Sequence, residues 1–318
     1  MAETTLILEP EEYSHDALFI YAQHGVLLKN GEDCWERHRI TITTLVVRLG
    51  TDLSSSFLCR FPSLRWIVSS TTGLTHVDLH YCASRGIRVV SLKGEQLFLE
   101  AITSTSELTI ALMLALLRYI PAAHKSVVSE AVWDRNRFKS RQCSNMTLGM
   151  VGFGRIGKQM HRVITALRMR CLVHDPYVSD EVFQKHGATP VALDELLSRS
   201  DVVSIHVDDR RDNFGMVNRC FLQSMKRGAL LINTSRGELV DETAVVEALT
   251  DGTLSGLAVD VLVSELSSEL LQTSPILAAA RAGANVIVTP HVGGCSRDAM
   301  ELTETHVAEK WLKECLIK

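Results

Sequence analysis

The sequence predicts an α/β protein of two domains, each built on a parallel, doubly wound sheet. The chain has 318 residues, which exceeds the usual size of a single hydrophobic core and favours two domains. Short apolar runs alternate with helical or polar stretches along its length, a pattern typical of parallel sheets. One segment, residues 147–175, adds the glycine spacing of a strand–turn–helix–strand unit.

The composition narrows the class of protein. Hydrophobic residues make up 46% of the chain and charged residues 22%, as expected of a globular protein with a large core. The net charge is −4 and the sequence has no long basic tract, so we expect neither a nucleic acid nor a membrane surface as the partner. The most apolar run, residues 108–117, is too short to span a bilayer.

The N-terminal sequence and the cysteine pattern indicate the cellular compartment of the protein. The chain does not begin with a basic segment followed by an apolar core, so no export signal is expected. The eight cysteines include no Cys-x-x-Cys pair, which favours reduced thiols packed as small hydrophobic side chains. Together these observations predict a cytoplasmic location.

The first 95 residues predict a small parallel α/β domain. Helical or polar stretches separate its short apolar runs. The strand candidates are residues 5–8, 45–48, 66–69 and 87–90. The loop at 69–73 carries small hydroxyl residues and a glycine directly after a strand, where ligands of open sheets collect. Its N–H groups can bind a carboxylate, and an ordinary turn is the alternative.

The next two stretches differ in character. Residues 107–118 predict a helix that is apolar on all sides and therefore buried on every side, between the domains or against a second subunit. Residues 133–142 are polar and basic, with aromatic side chains among them. We interpret this stretch as a surface arm, because it is short and acidic residues elsewhere balance its charge.

The glycine-rich segment predicts a dinucleotide site. After the apolar run 148–151, Gly152 permits a tight turn, Gly154 lets the backbone approach a pyrophosphate, and Gly157 lets helix and strand pack closely. The N-terminus of the following helix offers unpaired N–H groups and the positive end of its dipole to phosphates. Asp175, eighteen residues after Gly157, ends the second strand, where its carboxylate can accept both ribose hydroxyls.

Asp175 also predicts which dinucleotide binds. A carboxylate favours NAD over NADP, because a 2′-phosphate would meet a like charge. Pro176, Tyr177 and Val178 follow it, so no adjacent arginine is available for that phosphate. The alternative is an ordinary strand–helix–strand turn in which the glycines serve packing alone.

After Asp175 the alternation of strands and helices continues. The further strand candidates are residues 202–206, 230–233, 257–261 and 286–288, and the helix candidates are residues 241–250 and about 270–281. With the two strands of the glycine-rich segment, they predict a six-stranded doubly wound sheet. The last helix, residues 297–316, is long enough to cross back and cover the first domain.

Three polar residues after these strands form a chemically complete set for hydride transfer to a 2-keto acid. Arg236 can clamp a carboxylate through its planar guanidinium. His291 can donate a proton to the developing alkoxide, or remove it in the reverse direction. Glu265 beside that histidine would favour the imidazolium and orient the ring.

At this point the sequence resembles a known family, the NAD-dependent D-2-hydroxyacid dehydrogenases. The resemblance rests on residues 152–157, 232–241 and 289–294, and on Asp260 with Glu265 five residues later. Weaker matches lie at residues 73–78, 85–89 and 106–109. The resemblance implies a Rossmann-type NAD-binding domain, residues 101–294, inserted in a flavodoxin-like substrate domain, residues 1–100 and 295–318.

The resemblance also implies roles for individual residues. Arg236 would bind substrate, Glu265 would pair with His291, and His291 would be the catalytic acid/base. Asp260 would bind the nicotinamide carboxamide. The other residues that would contact the cofactor are Gly152, Gly154, Arg155, Ile156, Gly157, Asp175, His206 and Thr234. The backbone around Thr72 and Gly73 would hold the substrate carboxylate, and a homodimer would form through the NAD-binding domain.

The sequence departs from the family pattern at three places. Asp208 and Asp209 replace the usual Pro-Leu, and two acids near the cofactor can weaken its binding. Glu269 lies close enough to Glu265 in the sequence to compete for the pairing role. In the first domain, Thr71 and the pair 75–76 stand where glycine and Asp-Asn are usual, which leaves the substrate assignment open.

Two further side-chain patterns have alternative readings. Arg48, at the end of a strand, is either a contact for a phosphorylated substrate, as in phosphoglycerate dehydrogenases, or a structural arginine. His76 and His80 are four residues apart, but the catalytic glutamate of a His-Glu-x-x-His motif is missing. We therefore interpret them as packing or surface histidines and predict no metal site.

The predicted function is NAD-dependent interconversion of a D-2-hydroxy acid and its 2-keto acid. A second hypothesis is an NAD(H)-sensing binding protein or co-repressor of the same fold, because fold alone does not decide function. Glyoxylate, hydroxypyruvate, a bulkier keto acid and 3-phosphohydroxypyruvate all satisfy the predicted carboxylate clamp. The substrate and the physiological direction therefore stay open.

Overall fold

The chain folds into two compact units. The structure, a computed structural model, describes residues 3–31, 34–208, 210–263, 265 and 267–317. The first unit comprises residues 1–102 and 295–318, and the second comprises residues 103–294. The chain thus leaves the first unit, builds the second and returns to the first for its last helix.

The strands are short and all of their pairings are parallel. In the described residues they are β1 (Glu3–Ile7), β2 (Gly25–Lys29), β3 (Thr44–Val47), β4 (Trp66–Ser69), β5 (Arg88–Val90), β6 (Thr147–Val151), β7 (Arg170–His174), β8 (Thr189–Pro190), β9 (Val202–Ile205), β10 (Ala229–Asn233), β11 (Leu254–Val259) and β12 (Val286–Val288).

Helices connect these strands. Those of the described residues are α1 (His15–Gln23), α2 (Ser55–Leu58), α3 (Leu79–Arg85), α4 (Gln96–Leu99), α5 (Ser104–Leu117), α6 (Ile120–Val128), α7 (Arg155–Ala166), α8 (Asp180–His186), α9 (Leu193–Arg199), α10 (Arg219–Ser224), α11 (Glu242–Thr250), α12 (Ser268–Thr273), α13 (Pro275–Arg281) and α14 (Arg297–Leu316). Short 3₁₀ turns occupy several of the remaining loops.

The first unit is a five-stranded sheet in the described part of the chain, in the order β2-β1-β3-β4-β5. This is the doubly wound order of the flavodoxin type. Successive strand residues are buried in two different clusters: Leu45 packs with Leu6 and Ile67, whereas Val46 packs with Ile7 and Trp311 of α14. Because side chains alternate across a strand, both faces of the sheet are covered.

The second unit is a sheet in the order β12-β11-β10-β9-β6-β7-β8. This order reverses between β6 and β9, as in a Rossmann fold, and ligands of such sheets bind beyond the carboxyl ends of the strands at that point. The predicted fold class is confirmed in both units. The predicted count of six strands was wrong, because β8 adds a seventh strand of two residues at the edge.

Three other predictions differ from the structure. Strand β2 was not predicted, although it pairs with β1 along its whole length. The helix expected near residues 270–281 is two helices, because Ser274 caps a new helix that begins at Pro275. Helix α5 starts at Ser104, three residues before the predicted start at residue 107.

The length and polarity of the helices show whether any of them could span a membrane. In the described ranges, no single helix is long and apolar enough to cross a membrane. Helices α5 and α6 reach that measure only as a pair, and the pair is bent by 59°.

A buried carboxylate ties the start of β6 to β9. Asp201 accepts hydrogen bonds from the Thr147 N–H at 2.9 Å, from Lys226 Nζ at 2.6 Å and from Arg141 Nη1 at 2.6 Å. Burial raises the pKa of Asp201, but the hydrogen bonds from Lys226, Thr147 and Arg141 outweigh burial and lower it below the ordinary range. The charged carboxylate therefore stabilises the folded second unit.

We expect Asp201→Asn to lower the free energy of unfolding by about 1–2 kcal/mol at pH 7, because charge-assisted hydrogen bonds are lost. A lowered folded-state pKa means that this stabilisation is complete above the ordinary aspartate pKa and disappears as the pH falls through the acidic range. Urea unfolding at pH 7 and under acid measures both effects. The exposed control Asp212→Asn should change stability by less than about 0.5 kcal/mol; an equal loss in both variants would contradict the assignment.

Candidate active site

The glycine-rich loop after β6 has the shape of a phosphate cradle. Gly152 has φ +100°, and a Cβ there would lie 2.5 Å from the His206 carbonyl oxygen, so no other residue fits. A Cβ at Gly157 would lie 2.6 Å from the Gly152 oxygen. Gly154, by contrast, faces open space and precedes α7 without a side-chain cap on the first-turn N–H groups.

Asp175 lies directly after β7 and is joined to this loop. Its Oδ2 accepts a hydrogen bond from the Phe153 N–H at 2.8 Å, and its Oδ1 accepts one from the Tyr177 N–H at 3.0 Å. Arg155, in the first turn of α7, has a pKa lowered by burial. Three features here fit a dinucleotide: the open space at Gly154, the uncapped N-terminus of α7, and the Asp175 carboxylate at the end of β7.

Two other predicted cofactor residues are packed into the same unit. His206 follows β9, and its Nε2 lies 2.9 Å from Ser204 Oγ. Burial lowers the pKa of His206 to about 4, so the imidazole is neutral at pH 7. Thr234 follows β10, and its hydroxyl lies 2.8 Å from that of Thr109 on α5. Ile156, the remaining candidate, is half-buried in α7.

Asp208 and Asp209 follow His206. Asp208 is exposed and accepts a hydrogen bond from Arg210 Nε at 2.8 Å. Asp209 lies outside the described residues. The predicted weakening of cofactor binding by these two acids stays a prediction.

The predicted catalytic residues lie in three neighbouring loops. Strands β10, β11 and β12 are adjacent, and their register aligns Asn233 with Val259 and Val259 with Val288. Arg236 follows the first of these strands, Glu265 the second and His291 the third. Because parallel strands end at the same edge of a sheet, the three loops begin side by side.

His291 and Glu265 are in direct contact. The distance from His291 Nδ1 to Glu265 Oε1 is 2.5 Å, and the two side chains are 21% and 31% exposed. Of the two glutamates considered for this contact, it is Glu265 that makes it, while Glu269 is exposed on α12. His291 has φ +53°, an uncommon conformation for a residue with a side chain.

Asp260 organises the loop that carries His291. It is 1% exposed and accepts hydrogen bonds from Thr289 Oγ1 at 2.5 Å, the Val292 N–H at 2.9 Å and the Gly293 N–H at 2.7 Å. The His291 N–H donates to the Asp260 carbonyl at 2.8 Å. These bonds compensate the cost of a buried carboxylate and hold His291 in its left-handed conformation.

Arg236 is positioned by its neighbours in the loop after β10. Its Nη1 donates to the Ser235 carbonyl at 2.6 Å, and its own carbonyl accepts from Asn233 Nδ2 at 2.7 Å. A Cβ at Gly237 would lie 2.2 Å from the Leu262 carbonyl carbon. The absence of that Cβ brings the loop of Arg236 against the loop of Glu265.

In the first unit, Thr72 and Gly73 lie in the loop after β4. Thr71 Oγ1 donates to the Gly73 carbonyl at 2.7 Å, which fixes the turn. His76 is buried beneath this loop, with Nε2 3.4 Å from Ser69 Oγ, and His80 is exposed. In the part of the chain that the structure describes, no group of three or more His, Cys, Asp or Glu side chains could hold a metal ion.

Arg48 makes its contacts within the first unit. Its Nε lies 2.7 Å from Glu304 Oε1, its Nη1 donates to the Glu11 carbonyl at 3.0 Å, and its guanidinium lies 5.0 Å from the centre of the Tyr13 ring. These contacts favour the structural alternative, in which Arg48 holds α14 and the N-terminal loop on the sheet. A role in phosphate binding stays a prediction.

Comparison with known proteins decides the family. A model described as the NAD-binding domain of D-isomer specific 2-hydroxyacid dehydrogenases matches residues 110–293. The chain belongs to this family. NAD, predicted from the glycine-rich segment, is thereby confirmed as the cofactor of the matched domain.

Relatives in the family support this assignment. D-3-phosphoglycerate dehydrogenase of Mycobacterium tuberculosis is 33% identical over 265 residues, which are 83% of this chain and 48% of that protein. The enzyme of the same name from Archaeoglobus fulgidus is 32% identical over 297 residues, 92% of this chain and 54% of that protein. The chain therefore spans about half the length of the curated relatives it matches.

A solved structure is similar over almost the whole chain. D-lactate dehydrogenase from Aquifex aeolicus, complexed with NAD and lactic acid, superposes with a TM-score of 0.80 at 27% identity, covering 99% of this chain and 96% of that one. The apo-structure of D-lactate dehydrogenase from Escherichia coli has a TM-score of 0.81 at 23% identity and shows the same fold.

Two contacts of the site were not predicted from the sequence. Thr109, which bonds Thr234, belongs to the short family match at residues 106–109, and that match was the available indication. The contact between Arg210 and the Tyr177 ring joins residues that lie far apart in the sequence, and no local pattern indicates it.

We expect Gly154→Ala to fold normally and to bind NADH at least about tenfold more weakly. A Cβ there meets nothing within 4 Å, but it occupies the side from which the backbone approaches a pyrophosphate. NADH fluorescence titration and urea unfolding measure the two properties. Gly157→Ala is the comparison, since its Cβ clashes with the Gly152 oxygen and should cost stability. Unchanged NADH affinity in Gly154→Ala would contradict the cradle.

Proposed function

We propose that the protein is an NAD-dependent dehydrogenase that interconverts a D-2-hydroxy acid and its 2-keto acid. The observation that carries the proposal is the 2.5 Å contact between His291 and Glu265 in a unit that belongs to an NAD-binding family. A partly buried His–carboxylate pair, on the same edge of the sheet as a nucleotide cradle, can supply the acid/base that hydride transfer to a carbonyl requires.

In this proposal His291 moves the proton. Glu265 holds Nδ1, which leaves Nε2 to donate a proton to the carbonyl oxygen of the keto acid, or to accept one from the hydroxy acid. The carboxylate stabilises the imidazolium that exists before the donation and after the reverse step. When bound, the nicotinamide supplies or accepts the hydride at C2 of the substrate.

Arg236 is the proposed clamp for the substrate carboxylate. Its guanidinium can make two parallel hydrogen bonds to a carboxylate, which fixes the orientation of C2 as well as the affinity. The short bond to the Ser235 carbonyl and the close packing of Gly237 limit the positions that the guanidinium can take. Asp260 acts through the loop of His291, and its contact with the nicotinamide carboxamide is part of the proposal.

The substrate class is a small D-2-hydroxy acid. The N–H groups at Thr72 and Gly73 are proposed as further donors to its carboxylate. We leave Arg48 out of the substrate site, because its Nε and Nη1 are engaged and its Nη2 is buried. We also retain the predicted cytoplasmic location, in keeping with eight free thiols.

We expect His291→Ala to bind NADH with unchanged affinity and to lower kcat about 10²- to 10⁴-fold, because the proton donor is lost. Glu265→Gln should lower kcat at least about tenfold, since an amide cannot stabilise the imidazolium. The assay is NADH oxidation at 340 nm against glyoxylate, hydroxypyruvate, pyruvate, a branched 2-keto acid and 3-phosphohydroxypyruvate.

The matched control for this assay is Glu269→Gln, which changes the neighbouring glutamate and should leave kcat unchanged. Near-native turnover by His291→Ala would exclude its role as acid/base. If the unmodified protein binds NADH and turns over none of the keto acids, the proposed activity is wrong for these substrates and the nucleotide-sensing hypothesis takes its place.

We also propose that two copies of the chain form a homodimer through the second unit. Apolar side chains lie on the surface along and after α6, among them Val128 at 68% and Trp133 at 88% exposure. Ile110 and Leu114 of α5 are half-buried. A patch of this kind, continuous along the chain, is typical of a surface that a second copy covers.

Light scattering of the unmodified protein should give twice the mass of the chain. In the double variant Val128→Ser, Trp133→Ser, the measured mass should shift toward that of the monomer at micromolar concentration. The burial of these side chains against the second copy is the expected source of affinity. Leu97→Ser, at an 87% exposed residue of the first unit, is the control and should leave the mass unchanged. A monomeric unmodified protein would refute the proposal.

A further inference from the structure

An arginine that is distant in the sequence lies near the carboxyl end of β7, where Asp175 is located. Arg210 follows β9, and its guanidinium carbon lies 4.3 Å from the centre of the Tyr177 ring. Tyr177 follows β7 and donates its N–H to Asp175. Strand β6 lies between β9 and β7 in the sheet, so Arg210 contacts a residue that follows a strand not adjacent to its own.

One edge of the Arg210 guanidinium is held in place. Its Nε donates to Asp208 Oδ1 at 2.8 Å, and Asn213 Nδ2 donates to the same oxygen at 3.0 Å. Neither terminal nitrogen of Arg210 has a hydrogen-bond partner among the described residues. An arginine stacked on an aromatic ring, with its terminal N–H groups available, presents the planar fork that matches a phosphate.

The positive charge of Arg210 opposes the effect of the Asp175 carboxylate on a bound 2′-phosphate. The hydrogen bond that Arg210 donates to the Asp208 carboxylate raises the pKa of Arg210, and the charge of Asp175 acts in the same direction. Arg210 is therefore positively charged at all working pH values. A 2′-phosphate on the adenosine ribose would meet this charge as well as the carboxylate of Asp175, so the repulsion expected from Asp175 alone is reduced.

We propose that Arg210 is a specificity-determining residue that binds the 2′-phosphate of a nicotinamide dinucleotide, so that the protein accepts NADP(H) beside NAD(H). The Arg210–Tyr177 pair forms the outer wall of the adenosine pocket, with Asp175 at its inner end. The ribose 2′-hydroxyl of NAD bonds Asp175, and the 2′-phosphate of NADP bonds Arg210. The inference rests on the NAD site and does not require turnover of a keto acid.

The test is the dissociation constant of NADH and of NADPH, measured by fluorescence titration of the full chain without a keto acid. We expect the unmodified protein to bind NADPH within about tenfold of NADH. Arg210→Ala should raise the ratio of the NADPH to the NADH dissociation constant about fivefold, and this effect should shrink at high salt because the site is exposed.

The control is Arg211→Ala, which removes the same charge from the neighbouring, exposed position and should leave the ratio unchanged. If Arg210→Ala weakens the binding of both nucleotides equally, Arg210 contacts a part that NADH and NADPH share and does not bind the 2′-phosphate. That result overturns the inference. An equal shift of the ratio in Arg211→Ala, or no binding of NADPH by the unmodified protein, overturns it as well.

These outcomes are separate from those of the proposed dehydrogenase activity. A shift of the NADPH to NADH ratio in a protein that reduces none of the keto acids would support the role of Arg210 and reject the activity. Turnover of a keto acid with NADH, together with an unchanged ratio of dissociation constants in Arg210→Ala, would support the activity and reject the role of Arg210. Circular dichroism of each variant checks that the surface substitutions leave the fold intact.

Discussion

The candidate site depends on the parallel register of β10, β11 and β12. Each of these strands pairs with the next, and their carboxyl ends are level with one another. Parallel strands require a crossover of a dozen or more residues between them, so side chains distant in the sequence arrive at one edge of the sheet. That is how Glu265 and His291 come into contact across a whole strand–helix connection.

Two further features fix the positions of the loops at this edge of the sheet: close approach of the backbone at glycines and a buried carboxylate. Gly152 and Gly237 each lie where a Cβ would collide with the neighbouring loop, so the loops pack more closely than side chains would permit. Asp260 is buried, and the hydrogen bonds from three donors of the His291 loop compensate the cost of burying it. The contacts that stabilise the second unit are therefore the ones that position His291, the proposed acid/base.

The two ends of the nucleotide site differ in their electrostatics. Near β12 the charged groups are partly or fully buried, and their hydrogen bonds are strong and little affected by salt. Near β7 the carboxylate of Asp175 and the guanidinium of Arg210 lie close to solvent, where opposing charges adjust affinity by small amounts. The proposed chemistry thus lies at the buried end of the site, and the proposed discrimination between nucleotides lies at the exposed end.

Local patterns in the sequence predicted the fold class, the glycine cradle and the loops that carry Arg236 and His291. These features could be predicted because apolar periodicity and glycine spacing extend over only a few residues. They did not reveal β2 or the two-residue β8, which are recognised only by pairing with a neighbouring strand. The family resemblance implied that Glu265 pairs with His291, and the tertiary structure shows that contact rather than one with Glu269. The contact of Arg210 with Tyr177 was found only in the tertiary structure. Those contacts depend on how separate loops fold over the edge of the sheet, which no local pattern encodes.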